Sequence, residues 1–128
     1  MRPFVTLLAM TLFVTPIAAQ IPDSLPPEVS PQMIQRGKLF FEGPGLCVSC
    51  HGKDAKGIPH AGPDLTDSVW VGGDGSYEFI VGRILGGVPE HQSATGVAMP
   101  PRGASSLNEA QVRAMAAYVW ALSHQSGS

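Results

Sequence analysis

The chain has 128 residues, 8 Lys and Arg against 10 Asp and Glu, a formal net charge of −2, and two cysteines. That length suits one domain. The mildly acidic balance lacks the phosphate-neutralising charge that drives nucleic-acid binding, and two cysteines cannot build a multi-disulfide framework.

Residues 1–19 place Arg2 ahead of an apolar run that ends in small residues, Ile17-Ala18-Ala19, the layout of a secretory signal peptide cleaved after Ala19. The run is about 16 residues, short of the roughly 18 expected of a membrane span, and Pro16 interrupts it. No cysteine sits at the cleavage point to carry a lipid. The expectation is an exported chain with no stable membrane span once mature, and with 7 basic against 10 acidic residues. Residues 20–30 are proline-rich and show no apolar periodicity, and they read as an extended, mobile lead-in.

Ser30 before Pro31 is a helix start, an N-cap with proline at the first helical position. A helix of about three turns follows and stops at the Gly43-Pro44-Gly45 breaker. Residues 51–75 are rich in Gly, Pro and Asp and have neither the helical nor the strand period. A second helix spans 76–85 and is closed by Gly86-Gly87. After another irregular stretch, 88–104, Ser106-x-x-Glu109 reads as a capping box opening a last helix. Its Leu107, Ala110, Ala114, Tyr118 and Ala121 fall on one face. The expected domain is 31–124, with 125–128 a disordered tail. This is an all-α architecture of three to four helices with two long loops. The helices offer little apolar surface for such loops, and a bulky apolar cofactor between them accounts for both.

The only cysteines fall in Cys47-Val-Ser-Cys50-His51. Residues three apart on a helical turn point the same way, so both thiols can reach the two vinyl groups on one edge of a porphyrin while the histidine offers a ring nitrogen to the iron. The pattern is the attachment signature of c-type haem. Three other uses compete: a thioredoxin-like redox pair, which belongs between a strand and a helix; half of a zinc site, which needs a second ligand pair that His51 and His60 do not complete; and a plain disulfide.

With this motif, Gly62-Pro63-Asp64-Leu65, Met99-Pro100-Pro101 and the Leu107–Leu122 segment, the chain resembles the class I cytochromes c over about residues 30–124. The resemblance implies an all-α fold wrapped around one covalently bound haem c, with Cys47 and Cys50 as attachment points and His51 as proximal ligand. It gives the Pro63 carbonyl the role of accepting the other ring N–H of that histidine, the bond that fixes a ligating tautomer. Met99, in a loop stiffened by two prolines, is the expected sixth ligand, whereas Met33 and Met115 sit in helical patterns as core fillers. His91 is the substitute, and His60 and His124 read as surface, His124 in a frayed tail. Trp70 either donates its indole N–H to a haem propionate or is a core residue. Arg83 either neutralises a propionate or is a solvated helix charge. Gly37 and Phe41 are expected against Tyr118 of the last helix.

Histidine–methionine ligation saturates the iron and raises its potential, which implies a periplasmic single-electron carrier rather than an enzyme. Its partners would be redox proteins, with Lys53, Lys56 and Arg102 available to steer an acidic one. It would work as a free monomer or, alternatively, as the electron-transfer subunit of a periplasmic dehydrogenase or terminal oxidase. A haem gas sensor and a thiol oxidoreductase are the remoter readings.

Overall fold

In the computed structural model, which describes residues 24–125, the first helix begins where the sequence places it. The Ser30 hydroxyl accepts the Met33 N–H at 3.2 Å, Pro31 occupies the first turn, and α1 runs Pro31–Glu42. A single turn, α2, covers Val48–His51. Helix α3 spans Tyr77–Gly86, with the Ser76 hydroxyl accepting the Phe79 N–H. Helix α4 spans Glu109–Ser123. Short 3-10 turns lie at Glu90–Gln92 and Pro101–Ala104. The described residues contain no strand, only isolated antiparallel bridges between Ile58 and Gly62 and between Val88 and Met99. No described helix is long and apolar enough to cross a membrane.

The cap of α4 corrects the sequence reading. Asn108, not Ser106, is the N-cap: its side chain accepts the Gln111 N–H at 3.0 Å, and the Gln111 side chain accepts the Asn108 N–H at 2.9 Å. The register is shifted by two, and ahead of the cap Arg102 donates to the Leu107 carbonyl at 2.6 Å. That bond holds Leu107, only 4% exposed, in the core ahead of the helix. The buried surface of α4 is also wider than one face. Val112, Ala114 to Ala117 and Val119 to Ala121 are all buried, while Ala110 is exposed. A helix buried this widely is enclosed by neighbours rather than resting on one.

Two terminal readings change as well. The described part of the lead-in, 24–30, has no helix, but Val29 donates to the Pro26 carbonyl at 2.9 Å and is 7% exposed. An apolar residue among prolines is thus pinned to the core rather than mobile. His124 is not frayed either: its ring stacks on Trp120 at 4.2 Å and its Nδ1 lies 2.9 Å from the Trp120 carbonyl. The signal-peptide reading of 1–19 and all but Gln125 of the tail lie outside the described residues.

Helices α1 and α4 cross in close contact at Gly37. A Cβ there would overlap the Ala114 carbonyl and stand 3.0 Å from Tyr118 Cβ. One turn on, Phe41 meets Tyr118 edge-to-face, with centroids 5.4 Å apart. Phe41, Ile80, Val81, Val112 and Met115 form the most deeply buried part of the core.

Gly37→Ala must therefore separate the two helices and should cost about 1–3 kcal/mol. Gly82→Ala adds a methyl into open space on α3 and should gain about 0.5–1 kcal/mol from helix propensity. Chemical denaturation followed by circular dichroism measures both, and equal effects would contradict the crossing geometry.

Candidate cofactor cleft

The helix crossing seats the cysteine motif. Just past α1, the Gly45 N–H returns to the Phe40 carbonyl at 2.8 Å. A Cβ on Gly45 would lie 2.5 Å from the Phe40 carbonyl oxygen and 2.6 Å from Met115 Sδ, so glycine lets the chain fit between the end of α1 and the α4 methionine. The Cys47 Sγ then rests 3.2 Å from that same Sδ and 3.5 Å from the Gly45 carbonyl. Burial, with a smaller contribution from the neighbouring Cys50, pushes the Cys47 thiol up to about 11. A thiol-exchange nucleophile needs the opposite shift, toward the thiolate. Cys47 is buried and Cys50 exposed.

The α2 turn brings His51 round beneath the two cysteines, its N–H bonded to the Cys47 carbonyl at 2.9 Å. Gly52, at φ +78°, ends the turn. His51 is buried, and its Nδ1 lies 2.9 Å from the Pro63 carbonyl. Since a carbonyl only accepts, Nδ1 carries the proton and Nε2 holds the free lone pair. Burial lowers the pKa of the ring and outweighs the opposing pull of the Pro63 bond, so the imidazole is neutral at neutral pH.

The loop that presents Pro63 is not the structureless segment its composition suggests. Gly57 donates to the His51 carbonyl at 2.8 Å, Ile58 to Gly62 at 3.0 Å and Leu65 to Ala55 at 2.8 Å. Gly62 passes the His51 ring where a Cβ would stand 3.1 Å from its Nδ1. Met99 is fixed in a similar way from the other loop. Val88 donates to its carbonyl at 2.8 Å and accepts its N–H at 2.9 Å. Gly87, at φ +74°, leaves room for the Met99 carbonyl.

Trp70 is half-buried, edge-to-face with Phe79 at 6.0 Å, and its Nε1 is buried without a partner. An orphaned indole N–H calls for an acceptor. Arg83 is neither free nor fully solvated. It donates to the Val71 carbonyl at 2.6 Å and to Gln92 Oε1 at 3.0 Å, and its Cζ stands 5.0 Å over the Phe79 ring.

One cleft brings together all seven residues singled out in the sequence, Cys47, Cys50, His51, Pro63, Trp70, Arg83 and Met99. His60, His91 and His124 do not line it, and all three are exposed. Arg102 is spent on Leu107 rather than on steering. Val88, Gln92 and the Ile80–Ile84 wall were missed; the i, i+4 spacing of those isoleucines beside Gly86-Gly87 was the available signal. Apolar walls, a histidine of fixed tautomer, a thioether, two thiols and an orphaned N–H form a donor set that fits an iron porphyrin with polar substituents. Among the described residues, no three His, Cys, Asp or Glu side chains converge to hold a metal ion alone.

Known proteins agree with that reading of the cleft. The family model described as Cytochrome c matches residues 34–123. The chain is 46% identical over 81 residues to the cbb3-type cytochrome c oxidase subunit CcoP of Rhodobacter capsulatus, covering 59% of this chain and 25% of that protein. It is 34% identical over 115 residues to the cytochrome bc1 complex cytochrome c subunit of Mycobacterium bovis, 89% of this chain and 35% of that one. The chain thus spans about a quarter to a third of the length of these relatives. In fold it is similar to cytochrome cL of Methylophaga aminisulfidivorans, with a TM-score of 0.51 at 21% identity over 71% of this chain and 53% of that one.

A histidine whose folded pKa is lowered binds its proton more weakly than in the unfolded chain. Its contribution to stability is complete above the ordinary value of 6.5 and is lost as pH falls through the folded value. In the haem-free chain the urea midpoint should therefore decline from pH 7 to pH 5. A flat midpoint over that window would contradict the buried, neutral His51.

Proposed function

The chain belongs to the cytochrome c family, and from that premise we propose a periplasmic single-electron carrier whose haem is attached at Cys47 and Cys50 and ligated by His51 and Met99. Membership makes it a class I monohaem c-type cytochrome with covalently bound haem c. Its work is haem-based electron transfer, not catalysis.

The observation that carries the ligand assignment is the separate anchoring of the two donors. The imidazole is held by Pro63 and the methionine backbone by Val88, and both side chains line the cleft that the cysteines border. When bound, the haem supplies a one-electron couple between ferric and ferrous iron. The two cysteine sulfurs tether it as thioethers. His51 offers Nε2 because Nδ1 is engaged, and Pro63 keeps that ring from turning. The Met99 thioether favours ferrous iron and holds the potential above that of a bis-histidine site. Held by His51 and Met99, the group would leave no open site for a substrate or a gas, and it would pass electrons without bond making. Trp70 Nε1, buried without a partner, is the group suited to a propionate, whereas the Arg83 guanidinium is held by Val71 and Gln92. Pro63, Trp70 and Arg83 position the group rather than react with it. The signal-peptide layout of residues 1–19 supports the periplasm.

A second reading keeps the chemistry and changes the setting: a fixed electron-transfer subunit of a respiratory complex. The relatives named as oxidase and bc1 subunits favour it. Gel filtration after gentle extraction separates the two, since a free carrier elutes as a monomer and a subunit elutes with a large partner.

The test of the site is expression in a host that matures c-type cytochromes. Haem should stay on the chain in a denaturing gel, and the ferric protein should show the weak far-red band of methionine ligation. Met99→Ala should lose that band, lower the reduction potential and let the reduced protein bind carbon monoxide. A band that survives Met99→Ala would overturn Met99 as ligand, and haem lost on denaturation would overturn attachment at Cys47 and Cys50.

A further inference from the structure

The cleft lies between two long loops, and one side chain ties them together. From α3, Arg83 Nη2 donates to the Val71 carbonyl at 2.6 Å and Nη1 donates to Gln92 Oε1 at 3.0 Å. Phe79, one turn back on the same helix, lies under the guanidinium with its ring centroid 5.0 Å from Cζ. Val71, Arg83 and Gln92 all line the cleft. A planar guanidinium suits this arrangement, because its two terminal nitrogens can each hold a different loop.

Little else holds the second loop. Residues 89–98 contribute nothing to the buried core, and most of them are exposed. Their other hydrogen bonds are internal: the Gln92 N–H goes to the Pro89 carbonyl at 2.9 Å and the Ser93 N–H to the Glu90 carbonyl at 3.1 Å. Among the described residues, the bond from Arg83 to Gln92 is the one hydrogen bond that joins 89–98 to the rest of the chain. The loop is closed at its base by the paired bonds between Val88 and Met99. The residue that presents the thioether is therefore the residue at which this weakly attached loop begins.

We propose that Arg83 is a clamp on this loop and a positioning residue for Met99, setting how readily a small neutral nitrogen base takes the place of the thioether. Such a base needs the loop swung outward with Met99, and the clamp makes that open state rarer. The apparent affinity for the base scales with the fraction of open loop, so a weaker clamp reads as tighter binding. The inference rests on the proposed His51–Met99 ligation and names the residue that guards it.

The test is an imidazole titration of the ferric, haem-loaded protein at a pH where the base is neutral, followed by loss of the far-red methionine band. Gln92→Ala removes the acceptor on the loop, and Arg83→Gln removes the fork. Gln92 is exposed, so its truncation leaves the core intact. Each variant should reach half-displacement at about threefold to tenfold lower imidazole. The double variant should go no further than Arg83→Gln, because Gln92 then has no partner left to lose. Amide hydrogen exchange is the second readout: the Val88 and Met99 N–H groups should exchange faster in both variants, and those of α4 should not change. Arg113→Gln breaks the ion pairs to Glu78 and Glu109 outside the cleft and should leave the imidazole midpoint where it was. An unchanged midpoint in Gln92→Ala overturns the clamp even if Arg83→Gln moves it, because Arg83 would then act on the bound group directly. An equal shift in Arg113→Gln overturns it too, as a general loosening of the fold. Failure of the Met99 reading looks different: the unaltered protein would show no far-red band, while the exchange rates would still report the clamp.

Discussion

The close crossing of α1 and α4 is the constraint from which the rest of the molecule follows. It exists because Gly37 has no side chain to hold the Ala114 carbonyl away. Once the helices touch there, Phe41 meets Tyr118, and the chain leaving α1 must run along α4 past Met115. Gly45 permits that passage, and Cys47 then lands with its sulfur against the Met115 sulfur. The cysteine that borders the cleft is thus positioned from the core, and His51 follows one turn later. A glycine far from any chemistry therefore sets where the chemistry is.

The two irregular segments are best understood as walls. Each contains a run of backbone hydrogen bonds that fixes one functional group: Pro63 facing His51 in the first, Met99 paired with Val88 in the second. Gly57 and Gly87, both at positive φ, pass close to the Pro63 and Met99 backbone, so they serve close approach to those groups, not looseness. Under the proposed ligation, His51 and Met99 on independently braced backbone would stay in place in either oxidation state. That suits a protein whose role is to change oxidation state and little else. The electrostatics agree, since burial keeps Cys47 a thiol and His51 neutral, one poorly suited to thiol exchange and the other able to offer a lone pair.

Much of this was legible in the sequence. Local signals carried α1 and α3, because a serine N-cap, a proline at the first position and paired glycines act within one turn. The Cys-x-x-Cys-His spacing and the proline-braced Met99 identified residues that the fold does bring to one cleft. What escaped was non-local. The α4 cap was misplaced by two residues because Ser106-x-x-Glu109 and Asn108-x-x-Gln111 both fit the capping-box pattern, and the folded chain closes the second. The lead-in was read as loose because proline content hid Val29, whose burial depends on a core that no local pattern describes. Arg83 was judged as a propionate partner or a solvated charge, yet it bridges Val71 and Gln92, a pairing across two loops. The order within residues 52–65 is invisible to periodicity because it consists of backbone bonds between glycines and their distant neighbours.

The proposed site depends on Met99 being the side chain that, with His51, would hold the iron. The proton spectrum of the reduced, haem-loaded protein tests this most directly, because a methionine methyl held over the porphyrin lies in its ring current. The account predicts one three-proton resonance shifted far upfield of the ordinary methyl region and assigned to Met99 by isotope labelling. A spectrum with no such resonance, or with it assigned to Met33 or Met115, would contradict it.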